Sequence, residues 1–101
     1  MTRLTVVMTV YNGERYLREA IDSVLAQSVA DFEFLIVDDA STDRTPEMLA
    51  EKAQRDSRIR VVRNNSNLGP YPSLNRALTI VQGNGEFARL QARWFSPSGR
   101  P

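Results

Sequence analysis

At 101 residues, with 42% hydrophobic and 25% charged side chains, the chain is sized and composed for one small folded domain and is too apolar for a disordered one. Lys and Arg number 13 and Asp and Glu 12, a near balance that argues against a nucleic-acid partner gripped by a clustered basic face. The absence of Cys and His excludes disulfides, thiolate metal sites, the commonest zinc ligand and the usual general base near neutral pH, so any metal would be a hard, oxygen-liganded ion such as Mg²⁺ or Mn²⁺.

The first element is "LTVVMTV", Leu4 to Val10, a nearly continuous apolar run that predicts a strand covered on both faces. It is too short for a signal h-region, and nothing in the chain approaches the roughly 20 apolar residues that span a bilayer. A cytoplasmic protein is expected, with peripheral membrane association left open. "ERYLREAIDSVLAQS" then sets Leu17, Ala20, Ile21, Val24 and Leu25 at helical spacing, with Glu14, Arg15, Arg18, Glu19 and Asp22 largely opposite. "FEFLIVDD" predicts the second strand. "TPEMLAEKAQRD" predicts a second helix with Thr45 as N-cap, Pro46 at the first helical position and Glu47 in the first turn.

"RIRVVR", Arg58 to Arg63, reads as a third strand whose Arg residues form its solvated face. After the polar loop "NNSNLGP", "YPSLNRALTIVQ" predicts a third helix with Leu74, Ala77, Leu78 and Val81 inward, closed by "GNG". "EFARL" predicts the fourth strand, and from Gln91 to Pro101 no pattern is expected. The order β-α-β-α-β-α-β, with helix-length connections, implies an α/β, Rossmann-like, mostly parallel sheet with helices on both faces. Four strands with one bare edge suggest a chain cut short, and a marginal, aggregation-prone fold.

In open α/β sheets, ligands bind beyond the carboxyl ends of the strands. Those ends carry Thr9, Tyr11 and Asn12 after the first strand, the adjacent acids Asp38 and Asp39 after the second, and Asn64 and Asn65 after the third. An aromatic ring, amides, a hydroxyl and carboxylates suit a nucleoside: the base stacks on Tyr11, and its N–H and the ribose hydroxyls meet acceptors. Two neighbouring acids repel unless a cation or a donor-rich ligand sits between them. A plainer account is that "DDASTD" bonds to its own backbone, with Asp38 orienting the loop.

Taken together, "VVMTVYNGERYLREAIDSVLAQSVADFEFLIVDDASTDRT", "RIRVVRNNSNLG" and "LNRAL" resemble the N-terminal half of a family 2 glycosyltransferase of the GT-A fold, over about residues 4–90. The resemblance implies a nucleotide-diphospho-sugar donor, most often a UDP-sugar, a Mg²⁺ or Mn²⁺ ion, and transfer of the sugar to an acceptor hydroxyl. It implies that Thr9, Tyr11 and Asn12 line the nucleoside pocket, that Asp39 accepts from the base N–H with Asp38 supporting it, and that Asn75 lies near the donor phosphates. Leu74 stands where the family commonly has a basic residue. Where the family carries an Asp-X-Asp metal motif, this chain has Gln91-Ala92-Arg93, and the family's general base lies beyond its end. No catalytic and no metal-binding residue is therefore expected within the chain. Residues 1–90 are expected to be the nucleotide-sugar-binding half and 91–101 a tail, with a non-catalytic remnant that binds nucleotide weakly as the alternative.

Two other patterns fail. "GNGEFA" matches G-x-G-x-x-A but lies between a helix and a strand, the reverse of a dinucleotide-binding turn. The "IVDD" of a receiver domain needs a third Asp at a later strand end and a Lys beyond it, whereas the single Lys is Lys52, in the second helix.

Overall fold

The computed structural model describes residues 4–26, 32–83 and 90–95. Its order is β1 (Leu4–Val10), α1 (Leu17–Leu25), β2 (Phe32–Asp38), α2 (Thr45–Arg55), β3 (Ile59–Arg63), α3 (Pro70–Gly83) and β4 (Leu90–Phe95). The strands form one sheet in the order β3-β2-β1-β4, parallel throughout. The α/β fold is thus the expected one. No helix of the described residues is long and apolar enough to cross a membrane.

Period-two alternation divides the apolar strand residues between two layers. On one face Val6, Met8 and Val10 of β1, Phe32, Phe34 and Ile36 of β2 and Ile59 of β3 pack with Leu17, Ile21 and Val24 of α1 and Leu49 of α2. On the other, Val7, Leu35 and Val37 pack with Ala77 of α3, joined by the half-buried Leu74 and Ile80. Nearly every residue of β2 is buried, which is why its sequence runs apolar without alternation. Each such Val, Ile or Phe contributes about 1.5–3 kcal/mol by leaving water.

Several boundaries differ from the sequence expectation. The first helix starts at Leu17 because 14–16 form a turn, with the Gly13 carbonyl accepting from the N–H groups of both Tyr16 (2.9 Å) and Leu17 (2.8 Å). Thr45 is the first helical residue and not the cap: Asp43 Oδ1 accepts the Thr45 N–H at 2.8 Å. The largest difference is at the end. The fourth strand occupies Leu90–Phe95, so the residues read as the start of a patternless tail continue the sheet. The expected strand at 86–90 lies, apart from Leu90, outside the described residues, as do 96–101.

Thr5 is fully buried on β1, and its hydroxyl has no hydrogen-bond partner among the described residues. Valine has the same shape without the polar group, and an unsatisfied buried hydroxyl is costly. Thr5→Val should therefore stabilise the domain by about 1 kcal/mol, seen as a melting temperature higher by roughly 4–8 °C. A lower melting temperature would show that the hydroxyl is satisfied.

Candidate functional site

Along the sheet the chain moves outward from β1 to β2 to β3 and then returns to place β4 on the far side of β1. The helices follow, with α1 and α2 on one face and α3 on the other. The order reverses between β1 and β4, where Val10 is in register with Phe95, and it is beyond the carboxyl ends at such a reversal that open α/β sheets form their ligand crevice. At such a reversal the connections leave in opposite directions and the strand ends stay accessible. Tyr11 and Asn12 follow directly from β1, both half-buried.

The two loops beside this crevice are interlocked. Three successive N–H groups of the β1–α1 loop donate to side chains of the β2–α2 loop: Asn12 to Ser41 Oγ (2.9 Å), Gly13 to Thr45 Oγ1 (2.9 Å) and Glu14 to Asp43 Oδ2 (3.2 Å). In return Asn12 Oδ1 accepts from the N–H groups of Thr42 (2.7 Å) and Asp43 (3.3 Å). Asn12 adopts φ 49° to make both sets, a left-handed conformation that Asn tolerates better than most side chains. Gly13 is required for a steric reason: a Cβ there would lie 2.6 Å from Cγ2 of the buried Val10.

Asp43 is held by this arrangement. Burial, the largest single influence, pushes its carboxyl up. The hydrogen bonds from the Thr45 hydroxyl and from the N–H groups of Thr45, Glu14 and Asp43 itself together outweigh burial and hold it below the ordinary 3.8. A folded-state value below the unfolded one stabilises the fold above the unfolded pKa, and that contribution disappears as the pH falls through the folded value. Asp43→Asn should therefore destabilise most at neutral pH, and the gap from the parent should shrink as the pH falls below 3.8. Urea melts across that range test this, and a gap independent of pH would contradict it.

The acid pair does not sit around a common cation. Being consecutive at a strand end, Asp38 and Asp39 point to opposite faces of the sheet, and each has its own donors. Asp38, 1% exposed, accepts the Ser41 N–H at Oδ1 (3.1 Å) and Arg63 Nη1 at Oδ2 (3.1 Å). Asp39, fully buried, accepts Asn64 Nδ2 (2.9 Å) and the Leu68 N–H (2.8 Å) at Oδ1 and the Gly69 N–H (2.9 Å) at Oδ2. Gly69 has φ 88°, a region open to glycine, so the β3–α3 loop can turn its amides toward the carboxylate. Asn64 extends the network into α3, donating to Ser73 Oγ (2.8 Å) and accepting from Arg76 Nη1 (2.6 Å).

The expected site residues thus divide. Thr9, Tyr11, Asn12, Asp38 and Asp39 come together at the carboxyl ends of β1 and β2. Asn75 is exposed on α3, while the network reaches that helix at Ser73 and Arg76 instead. Arg60 and Arg63 are exposed, as the solvated-face reading expects, whereas Arg58 is partly buried, and all three also engage neighbouring groups. Arg58 pairs with Asp56 (2.8 Å) and lies over the Phe32 ring, Arg60 approaches Glu33 (3.9 Å), and Arg63 bonds the buried Asp38. Ser41, Asp43, Thr45 and Arg63 are not among the site residues expected from the sequence. The first three lie in "DDASTD" and its continuation, whose self-bonding character was the available signal.

A groove of about 870 Å³ opens between α1 and α2, but Arg15, Arg18 and Arg44 alternate there with Glu19, Asp22 and Glu51, with no convergent buried polar group. Among the described residues no group of three or more acidic side chains is placed to hold a metal ion. Gln91 and Arg93 add no carboxylate, and both strand-end acids already accept protein donors. The described residues do not fit a divalent ion.

The model of glycosyl transferase family 2 matches residues 5–88. An uncharacterized glycosyltransferase of Haemophilus influenzae is 37% identical over 89 residues, which cover 88% of this chain and 27% of that protein. An uncharacterized glycosyltransferase of Methanocaldococcus jannaschii is 40% identical over 82 residues, 79% of this chain and 28% of that one. The mannosyltransferase PcManGT from Pyrobaculum calidifontis, solved in complex with GDP-Man and Mn²⁺, superimposes with a TM-score of 0.71 at 29% identity, covering 77% of this chain and 24% of the other. The chain spans roughly a quarter of the length of these proteins. With the family pattern running from β1 past the end of α3, the chain belongs to glycosyl transferase family 2.

Proposed function

We propose that the strand-end crevice is the donor pocket of a glycosyltransferase that takes a sugar from a nucleotide-diphospho-sugar, by preference a UDP-sugar, and passes it to an acceptor hydroxyl. The observation that carries this reading is Tyr11, a half-buried aromatic directly after β1 at the sheet's reversal point, where open α/β sheets bind ligands. A nucleobase stacks on such a ring, Thr9 and Asn12 supply polar groups beside it, and Asp38 and Asp39 form the wall. Asp39 Oδ2 accepts one donor, the Gly69 N–H, so a base N–H reaches it once the 68–69 segment gives way. Asn75 serves the phosphates from the exposed side of α3. Family membership and the GDP-Man complex of the similar mannosyltransferase support a nucleotide-sugar donor. The reading includes a cytoplasmic location, since a chain without Cys needs no oxidising compartment.

Within this chain, donor binding is separated from turnover. A departing diphosphate needs positive charge placed to receive it, and an acceptor hydroxyl needs a base. Gln91 and Arg93 at the Asp-X-Asp position favour a chain that holds nucleotide without transferring sugar by itself. The divalent ion expected of the complete family enzyme belongs to residues this chain does not supply.

Calorimetric titration with UDP and GDP, each with and without Mn²⁺, tests the reading. Binding should be detectable without metal, tighter for UDP, and about tenfold weaker in Tyr11→Ala, since base stacking on an aromatic is worth ~1–3 kcal/mol. Absence of binding by either nucleotide, or affinity indifferent to Tyr11, would overturn it.

A further inference from the structure

We propose that Arg63 is a positioning residue for the donor pocket, acting through the strained turn at Ala40. The inference rests on the donor-pocket reading above. Among the described residues two non-glycine positions have left-handed backbone, Asn12 (φ 49°) and Ala40 (φ 61°), and they lie in the two interlocked loops. Asn has a side chain that compensates locally; Ala has none, so what surrounds Ala40 must hold its conformation. Arg63 does so from the neighbouring strand, with its register partner Asp38 one side of the turn and Ser41 the other. Its Nη1 donates to Asp38 Oδ2 (3.1 Å) and its Nη2 to the Ser41 carbonyl (3.1 Å).

The planar fork of a guanidinium spans both anchor points at once, which the single ammonium of Lys does not. Ser41 closes the ring by donating its N–H to Asp38 Oδ1 and passes the constraint on by accepting the Asn12 N–H at Oγ (2.9 Å). Asn12 adjoins Tyr11. A chain of direct contacts thus runs from an arginine on the edge strand through Ser41, the neighbour of the strained Ala40, to Asn12 beside the aromatic at the reversal point. The Arg63 side chain is half exposed, so it serves the turn without being enclosed by it.

The experiment compares the full-length chain with Arg63→Ala, Arg63→Lys, Ala40→Gly and the double variant Arg63→Ala/Ala40→Gly, by amide hydrogen exchange and by UDP titration. Arg63→Ala should speed exchange at Ser41 and Asn12 about tenfold while the β1 and β2 amides keep their protection, and weaken UDP binding by a similar factor. Arg63→Lys should show the same pattern at smaller size. Glycine adopts φ near 61° without cost, so Ala40→Gly in the Arg63→Ala background should restore both readouts. Faster exchange spread evenly over the sheet, or no local change, would overturn the proposal, as would a binding loss that Ala40→Gly fails to rescue. If Arg63→Ala does not fold, Arg63→Lys decides by the same local-against-global criterion. If the parent chain binds no UDP, the donor-pocket reading fails, and the exchange pattern with its rescue by Ala40→Gly alone decides whether Arg63 holds the turn.

Discussion

Asp39→Ala should destabilise the domain by about 3 kcal/mol, because a buried donor left without its acceptor costs about 1–3 kcal/mol. Three donors lose their acceptor together: the Asn64 amide and the N–H groups of Leu68 and Gly69. Asn64 is itself buried, so its amide cannot turn to water without opening the strand end. Asp39→Asn retains one carbonyl oxygen but presents an NH₂ toward a donor, and should fall between the parent and Ala. Urea unfolding supplies the magnitudes, and amide exchange at Leu68 and Gly69 tells whether the loop opens first. A parent-like midpoint for the Ala variant would show that the loop is anchored elsewhere. Because small domains have only about 5–15 kcal/mol in total, a loss of this size is a large fraction of the stability.

Phe34→Ala should cost about 3–5 kcal/mol by combining lost transfer energy with a cavity that the parallel sheet cannot close. Phe34 is fully buried at the centre of β2, in register with Val6 on one side and Ile59 on the other. Those neighbours are fixed by backbone hydrogen bonds, so only the helix layer can move to fill the void. Phe34→Leu keeps most of the volume and should cost below about 1.5 kcal/mol. The ratio of the two losses, read from chemical denaturation, reports how well the α1–α2 layer can settle. Equal losses would mean that ring shape, not volume, is what the site demands.

Strands β1 and β2 and helices α2 and α3 were legible because their signals are local and agree with one another: β-branched apolar runs, Pro46 at a helix start, apolar residues at helical spacing. The continuation of β4 through Phe95 was not legible, because Gln91 and Arg93 break the unbroken apolar run that marks the two inner strands. β4 is an edge strand, and Leu90-Gln91-Ala92-Arg93-Trp94 alternates apolar with polar, which is the pattern of a half-covered strand. The polar Gln91 and Arg93 that seemed to end the pattern were half of it.

At the site, sequence located the strand-end residues but not their bonding. Asp38 and Asp39 do not share a ligand, because pleating sends neighbours to opposite faces, where each meets its own protein donors. Arg63 looked like a surface charge on a strand of arginines. Its role depends on register, since only when Asp38 and Arg63 are aligned across β2 and β3 do the two side chains become neighbours on one face. No linear pattern states that alignment, although matching the two strand ends would have suggested it. Asp43 was legible as a loop residue and Thr45 as marking the start of α2, whereas their use by the β1–α1 loop is a contact across some thirty residues of sequence.

The sheet order also sets a sequence of events in time. β1, β2 and β3 lie side by side in the order in which they are synthesised, each next to its predecessor across one helical crossover. These contacts close short loops and can form early, at little entropic cost. β4 instead returns to β1, pairing Thr5 with Leu90 from nearly opposite ends of the chain. Until it arrives, one flank of β1 stays open while the rest of the sheet is already assembled. A nascent chain therefore passes through a stage with a ready-made template for a foreign strand. The longer β4 takes to dock, the longer that template stays available.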